Sequence, residues 1–204
     1  MTGRIVILNG APRSGKSSIA RAMQEHLPGT WINLGVDAQN ASLPPALLPG
    51  IGLRPGGERP DLEPVVQQLY AALYQSIAAH ALAGFDVVVD IGHHDAYSRP
   101  LGILPACAAI LAGLDVLFVG VHCPIETIMA RRNADPDSLY VKGEGVPAPV
   151  QLWQDAVHVP GLYDLELDTG TLTPTEAVAA IARLLAAPPQ SRAFTALAAP
   201  ALHS

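Results

Sequence analysis

Residues 10–17 read Gly-Ala-Pro-Arg-Ser-Gly-Lys-Ser, a full match to G-x-x-x-x-G-K-[ST], and this octapeptide restricts the chain more than any other feature. The apolar run Arg4–Asn9 ahead of it predicts a strand, and Ile19, Met23 and Leu27 behind it mark one face of a helix. Glycines in such a strand–turn–helix let backbone N–H groups turn inward around phosphate oxygens, and the helix N-terminus adds partial positive charge. Lys16 is then placed to bridge the β- and γ-phosphates, and the Ser17 hydroxyl to ligate Mg²⁺. The alternative is a glycine turn that merely resembles the motif. With both flanks in register, the stretch predicts a nucleoside triphosphate site with Mg²⁺. Its binding residues would be Gly10, Ala11, Pro12, Arg13, Ser14, Gly15, Lys16, Ser17 and Ser18.

Four further apolar runs follow: Thr30–Gly35, Phe85–Asp90, Asp115–Cys123 and Tyr163–Asp168. The nearly continuous Val/Ile/Leu stretches among the five suit central strands of a parallel sheet buried on both faces. Between them Leu62, Val65, Val66, Leu69, Leu73 and Ile77 recur at helical spacing. A last helix opens at Thr173-Pro174-Thr175-Glu176, where Thr can cap, Pro suits the first turn and Glu can close a capping box. Val178, Ile181 and Leu185 mark its apolar side. The alternation predicts an α/β P-loop fold, a five-stranded parallel sheet flanked by helices, with a mobile lid. A chain of 204 residues fits one domain. We expect that domain over 1–187, a lid over about 133–149, and a peripheral Ala/Pro-rich tail over 188–204. The segment Ala41–Pro60, dense in proline and glycine, is expected as a long irregular excursion.

Composition excludes other classes. The formal charge is −6 and the 12 Lys and Arg residues form no basic run, so nucleic acid is not expected as a partner. No stretch approaches the ~18 apolar residues of a membrane span, so no membrane partner is expected either. Cys107 and Cys123 make neither a disulfide framework nor a metal set, and read as buried small hydrophobes in a reducing compartment. The expected location is the cytoplasm.

Asp90 closes the third run, and an acid at a strand tip beside the loop can hold Mg²⁺ through water; a solvated strand-end Asp is the alternative. His93 and His94 follow it. On a strand they would point to opposite sides, which makes them poor joint metal ligands and leaves pocket lining or plain surface positions. Asp37 follows the second run, where a parallel sheet binds ligands beyond its carboxyl ends. Its carboxylate could accept the proton of an acceptor hydroxyl, or could simply cap a helix.

The stretches IVILNGAPRSGKSSI, WINLGVD, FDVVVD and DVLFVGVHC, with Val157-His158 and Tyr163–Thr169 at the far end, resemble the chloramphenicol phosphotransferase family. The resemblance spans nearly all of the chain except the tail. It implies ATP- and Mg²⁺-dependent phosphorylation of a small-molecule hydroxyl, with a chloramphenicol-like antibiotic as first candidate. Asp37 falls on the family's proposed base. Arg132 matches one of the family's lid arginines, giving Asp37, Lys16 and Arg132 as catalytic candidates, with Ser17 and Asp90 as metal ligands. The later lid arginines are absent: Asp135-Pro136-Asp137-Ser138 stands in their place, and Lys142 is the next cation. His158 and Trp153, placed in the helix after the lid, read as site lining or packed helix residues. Asp168-Thr169-Gly170 would approach the adenine through backbone contacts. Another small acceptor such as a sugar nucleotide, or a nucleotide-binding switch with little transfer, are the competing readings. Oligomeric state is not read from the sequence.

Overall fold

In the computed structural model, which describes residues 2–135, 145–189 and 192–198, strand β1 (Ile5–Asn9) is buried at every position. It pairs in parallel with β3 (Asp86–Ile91) on one side and β4 (Val116–His122) on the other. Strands β2 (Trp31–Gly35) and β5 (Leu165–Asp168) complete the sheet, in the order β2-β3-β1-β4-β5 and all parallel. The sequence-based expectation of a five-stranded parallel sheet is met, with run boundaries shifted by a residue or two.

Strand alternation divides the core. Ile5, Ile7, Val87, Val89 and Phe118 face one layer, with α3 (Glu63–Leu82), α4 (Ile103–Ile110) and α8 (Ala193–Ala198). Val6, Leu8, Val88, Leu117 and Val119 face the other, with α1 (Lys16–His26) and α7 (Pro174–Ala186). Both faces of the central strands are therefore apolar, which is why their sequences are unbroken runs. The capping box of α7 forms as its sequence implies: Thr173 Oγ1 accepts from Glu176 N, and Glu176 Oε2 accepts from Thr173 N at 2.8 Å.

Several features differ from the sequence-based picture. A short helix, α2 (Val36–Ala41), starts directly at the end of β2, so the irregular excursion begins after it. Two 3₁₀ turns follow, at Pro45–Leu47 and Gly50–Gly52, and bury Ile51 and Leu53 against α3. On α3 the deepest side chains include Tyr70 and Tyr74, whereas Val65 and Leu69 are only half-buried. The expected peripheral tail is corrected. Phe194 of α8 is 2% exposed, stacked on Tyr74 at 6.1 Å and edge-on to Phe118 at 5.2 Å, because α4 and β4 leave an apolar recess that the sheet helices do not fill.

The lid expected over about 133–149 is flanked by α5 (Ile125–Ala134) and α6 (Ala148–Ala156); residues 136–144, with Lys142, lie outside the described residues. Cys107 and Cys123 are buried and unpaired. Among the described residues, no helix is long and apolar enough to cross a membrane.

Candidate active site

The loop after β1 has the backbone of an anion cradle. A Cβ at Gly10 would lie 2.4 Å from the Val121 carbonyl oxygen, so no larger residue fits. Gly15 (φ 97°) and Arg13 (φ 67°) are both left-handed, which turns the loop into α1. No side chain caps α1, leaving its first-turn amides available to an incoming anion. The Lys16 side chain curls back over the loop, donating to Ala11 O at 2.9 Å, with Nζ 3.5 Å from Asp90 Oδ1. Burial pulls the Lys16 ammonium below its ordinary range, and the negative charges of Asp90 and Asp37 oppose that shift.

Ser17 Oγ donates to Asp90 Oδ2 at 2.5 Å, so the first turn of α1 and the end of β3 present a hydroxyl and a carboxylate side by side. Ser17 is exposed and Asp90 half-buried. Hard oxygen donors at a solvent-accessible point, with room for waters, are the donor set Mg²⁺ takes. Asp37 is exposed in the first turn of α2 and makes no capping bond: the cap position is Gly35.

Two cavities meet at the loop. One, of about 300 Å³, runs past Gly15, Lys16, Ser17 and Ser18 to Arg131, Thr169 and Leu172. The other, of about 210 Å³, lies between Ala11, Pro12, Arg54, Arg132 and Trp153. Arg13 lines both. Arg131 and Arg132 are consecutive on α5, about 100° apart around the helix, and the two cavities divide them. Arg131 spans from α5 to the loop after β5, donating to Arg13 O at 3.1 Å and to Thr169 O at 2.8 Å. The Thr169 hydroxyl ties this loop to the cradle, donating to Ser14 O at 2.6 Å.

The two histidines are not surface positions. His93 and His94 are 1% and 4% exposed, because β3 ends at Ile91 and the chain then passes over α3. His93 Nε2 shares a 2.7 Å hydrogen bond with Tyr74 OH, and burial pushes its pKa down to about 3. His94 Nε2 donates to Leu53 O at 2.9 Å, and the ring sits edge-on to Trp153, 4.9 Å between centroids. Trp153 is buried in α6, whereas His158 lies beyond the end of that helix, stacked 3.9 Å from His122. Burial lowers the His158 pKa to about 4, with help from His122 and Lys16.

Sequence reasoning passed over Asn9. Its side chain is 1% exposed; Nδ2 donates to Val157 O and Tyr163 OH, each at 2.8 Å, and Oδ1 accepts from His93 N at 2.6 Å. The available signal was an amide closing an otherwise apolar strand, since a buried amide must find partners. Among the described residues no group of three or more His, Cys, Asp or Glu side chains is arranged to hold a metal on its own.

Residues 3–186 match the family model for chloramphenicol phosphotransferase-like protein. A relative in Mycobacterium tuberculosis (strain ATCC 25618 / H37Rv), a candidate O-phosphotransferase by its name, is 29% identical over 191 residues, covering 87% of this chain and 79% of that protein. Among solved structures, the fold is similar to the Mycobacterium tuberculosis APS kinase in complex with AMPPNP and APS. The TM-score is 0.63 at 21% identity, over 91% of this chain and 98% of that one. It is also similar to the shikimate kinase of Acinetobacter baumannii in complex with shikimate, with TM-score 0.61 at 12% identity, over 93% and 97% of the two chains.

Proposed function

The chain belongs to the chloramphenicol phosphotransferase-like family, and from that premise we propose that it transfers the γ-phosphate of ATP, bound with Mg²⁺, to a hydroxyl of a small molecule. The observation that carries this reading is the convergence of Lys16, Ser17 and Asp90 at the phosphate cradle, with Ser17 Oγ 2.5 Å and Lys16 Nζ 3.5 Å from the two Asp90 oxygens. Ser17 and Asp90 would hold the metal, which when bound neutralises charge on the phosphate oxygens.

Each residue then has a task. The cradle of residues 10–18 holds the triphosphate with backbone N–H groups. Lys16, already desolvated, gives up little further hydration when it contacts phosphate, so its charge acts at full strength. Asp37, at the end of β2 and electrostatically felt by Lys16, accepts the proton of the acceptor hydroxyl as its oxygen attacks phosphorus. Arg132 faces the smaller cavity and stabilises the charge that develops on the transferring phosphoryl group. Arg131 fastens α5 to the cradle from the nucleotide side.

The test is γ-phosphate transfer from ATP-Mg²⁺ to a panel of hydroxylated acceptors headed by chloramphenicol, read by mass spectrometry, with Asp37→Asn as control. We expect a phosphorylated product from wild type and a 10²- to 10⁴-fold slower rate from Asp37→Asn, with ATP affinity kept. ATP binding without transfer to any acceptor would turn the assignment toward a nucleotide-binding switch. A variant as fast as wild type would remove Asp37 from the chemistry.

A further inference from the structure

We propose that His94 is a positioning residue for the acceptor: from behind the smaller cavity it holds Leu53 and Trp153 in place, so that the cavity keeps its width. This rests on the phosphotransferase reading, in which the nucleotide takes the larger cavity past Lys16 and Ser18 and the acceptor takes the smaller one beyond Ala11 and Pro12. One wall of the smaller cavity comes from Gly52 and Arg54 of the Pro/Gly segment, another from Val150 and Trp153 of α6. His94 lines neither cavity and would act only through these walls.

One nitrogen of the ring is committed. A carbonyl oxygen can only accept, so the 2.9 Å contact fixes Nε2 as the donor to Leu53 O and leaves Nδ1 as the bare acceptor of a neutral ring. Burial keeps the pKa below its ordinary 6.5, against the pull of the Leu53 carbonyl and of Asp95. Nδ1 is shut off from solvent and has no hydrogen-bond partner among the described residues. A desolvated acceptor without a donor destabilises a fold, whereas a phenylalanine in the same space would carry no such penalty. What the imidazole supplies and an apolar ring cannot is the N–H held to Leu53 O. A rule of interior packing broken in this way is the mark of a functional constraint.

The bond falls at the middle of the Pro/Gly wall. On one side Asn40 Nδ2 donates to Pro49 O at 3.0 Å and Tyr70 OH to Ile51 O at 3.2 Å. On the other, Gly56 N donates to Ala96 O at 2.8 Å. Leu53 stands between the two lining residues Gly52 and Arg54, and His94 ties the segment at that point to the chain leaving β3. The same ring meets Trp153 edge-on. Gly92, two residues earlier, lets the indole close on the cradle: a Cβ there would lie 3.0 Å from Trp153 Cζ3 and 3.1 Å from Gly10 O. The short stretch from Gly92 to His94 therefore touches the cradle, the indole and the Pro/Gly wall at once.

The experiment uses the full chain and two variants. His94→Phe keeps a ring edge against Trp153 and loses the N–H. His94→Gln carries its amide nitrogen the same number of bonds from the backbone as Nε2. Hydrogen exchange over residues 50–57 is followed by mass spectrometry with no acceptor present. Steady-state transfer is then measured with saturating ATP-Mg²⁺ and the hydroxylated panel member that wild type phosphorylates fastest, and the KM for ATP is measured separately. In His94→Phe we expect exchange over 50–57 to quicken about fivefold, the effect of one lost neutral hydrogen bond, and the acceptor KM to rise by about as much, with the KM for ATP held within about twofold. His94→Gln should restore both. A merely structural residue would lower the folded fraction, and kcat with it, without separating the two KM values.

The proposal is overturned if exchange or acceptor KM stays unmoved in His94→Phe, if the KM for ATP rises alongside that of the acceptor, or if His94→Gln restores neither. Its failure is distinct from that of the phosphotransferase reading. In the first, wild type transfers phosphate and the variants match it; in the second, wild type transfers to no panel member, which removes the acceptor and the role of His94 together.

Discussion

Ser17 Oγ and Asp90 Oδ2 stand 2.5 Å apart, joining the first turn of α1 to the carboxyl end of β3. Neither residue alone makes a metal site, but together they offer two oxygens on adjacent elements. We expect Asp90→Asn and Ser17→Ala each to raise the Mg²⁺ concentration needed for half-maximal transfer on the order of tenfold, and Asp90→Asn to lower kcat further because Lys16 loses its carboxylate neighbour. A Mg²⁺ titration of transfer rate checks this. Unchanged half-maximal concentrations in both variants would place the metal elsewhere.

Lys16 is the buried cation of the cradle, with Nζ 3.5 Å from a carboxylate oxygen of Asp90. Lys16→Ala should weaken ATP binding about tenfold or more, as a charged hydrogen bond to phosphate is lost, and should slow transfer on the order of 10²-fold or more. Calorimetry and single-turnover kinetics read the two effects separately.

Phe194 should matter for stability and not for chemistry. It fills the recess between Tyr74 and Phe118 on the face of the sheet away from α1. Phe194→Ala should cost about 3–5 kcal/mol, the range for truncating a buried aromatic ring, while the KM for ATP stays unchanged in the remaining folded protein. Removing residues 188–204 should destabilise the fold comparably, as read by urea unfolding.

Acid should destabilise the fold through His93. Its folded pKa is lowered to about 3 by burial, below an ordinary value near 6.5, so between those values the unfolded chain binds a proton that the folded one refuses. The neutral ring therefore stabilises the fold fully above about pH 6.5, and the contribution is lost as pH falls toward 3. His158, lowered to about 4, acts in the same direction. Urea unfolding should lose on the order of 3 kcal/mol between pH 7 and pH 4 from His93. The slope should flatten in His93→Gln, which keeps an amide to meet Tyr74 OH.

How much of this was legible depends on the range of each signal. The central strands and the cap of α7 are local: Val87–Val89 and the Thr173/Glu176 pair carry their instructions in a few adjacent residues. His93 and His94 misled because the alternation of a strand was carried two and three residues past Ile91, where the strand has ended. Helix α8 has six residues with one large aromatic, and only the recess made by α4 and β4, distant in sequence, gives Phe194 a reason to be buried. At the site, the order of Lys16 and Ser17 along the loop follows from the motif. The division of Arg131 from Arg132 does not, since it depends on how α5 is rotated between two cavities.

Asn9 gives that arrangement its scale. One amide group, immediately before Gly10, holds the carbonyl that ends α6, the hydroxyl of Tyr163 and the peptide N–H of His93. The floor beneath the phosphates and the wall carrying Trp153 are thus pinned to a common datum. On the phosphotransferase reading, a shift of one would carry the other with it and keep the gap between donor and acceptor constant. A lesion at Asn9 would register as lost alignment, with both substrates still able to bind but no longer at the spacing that transfer requires.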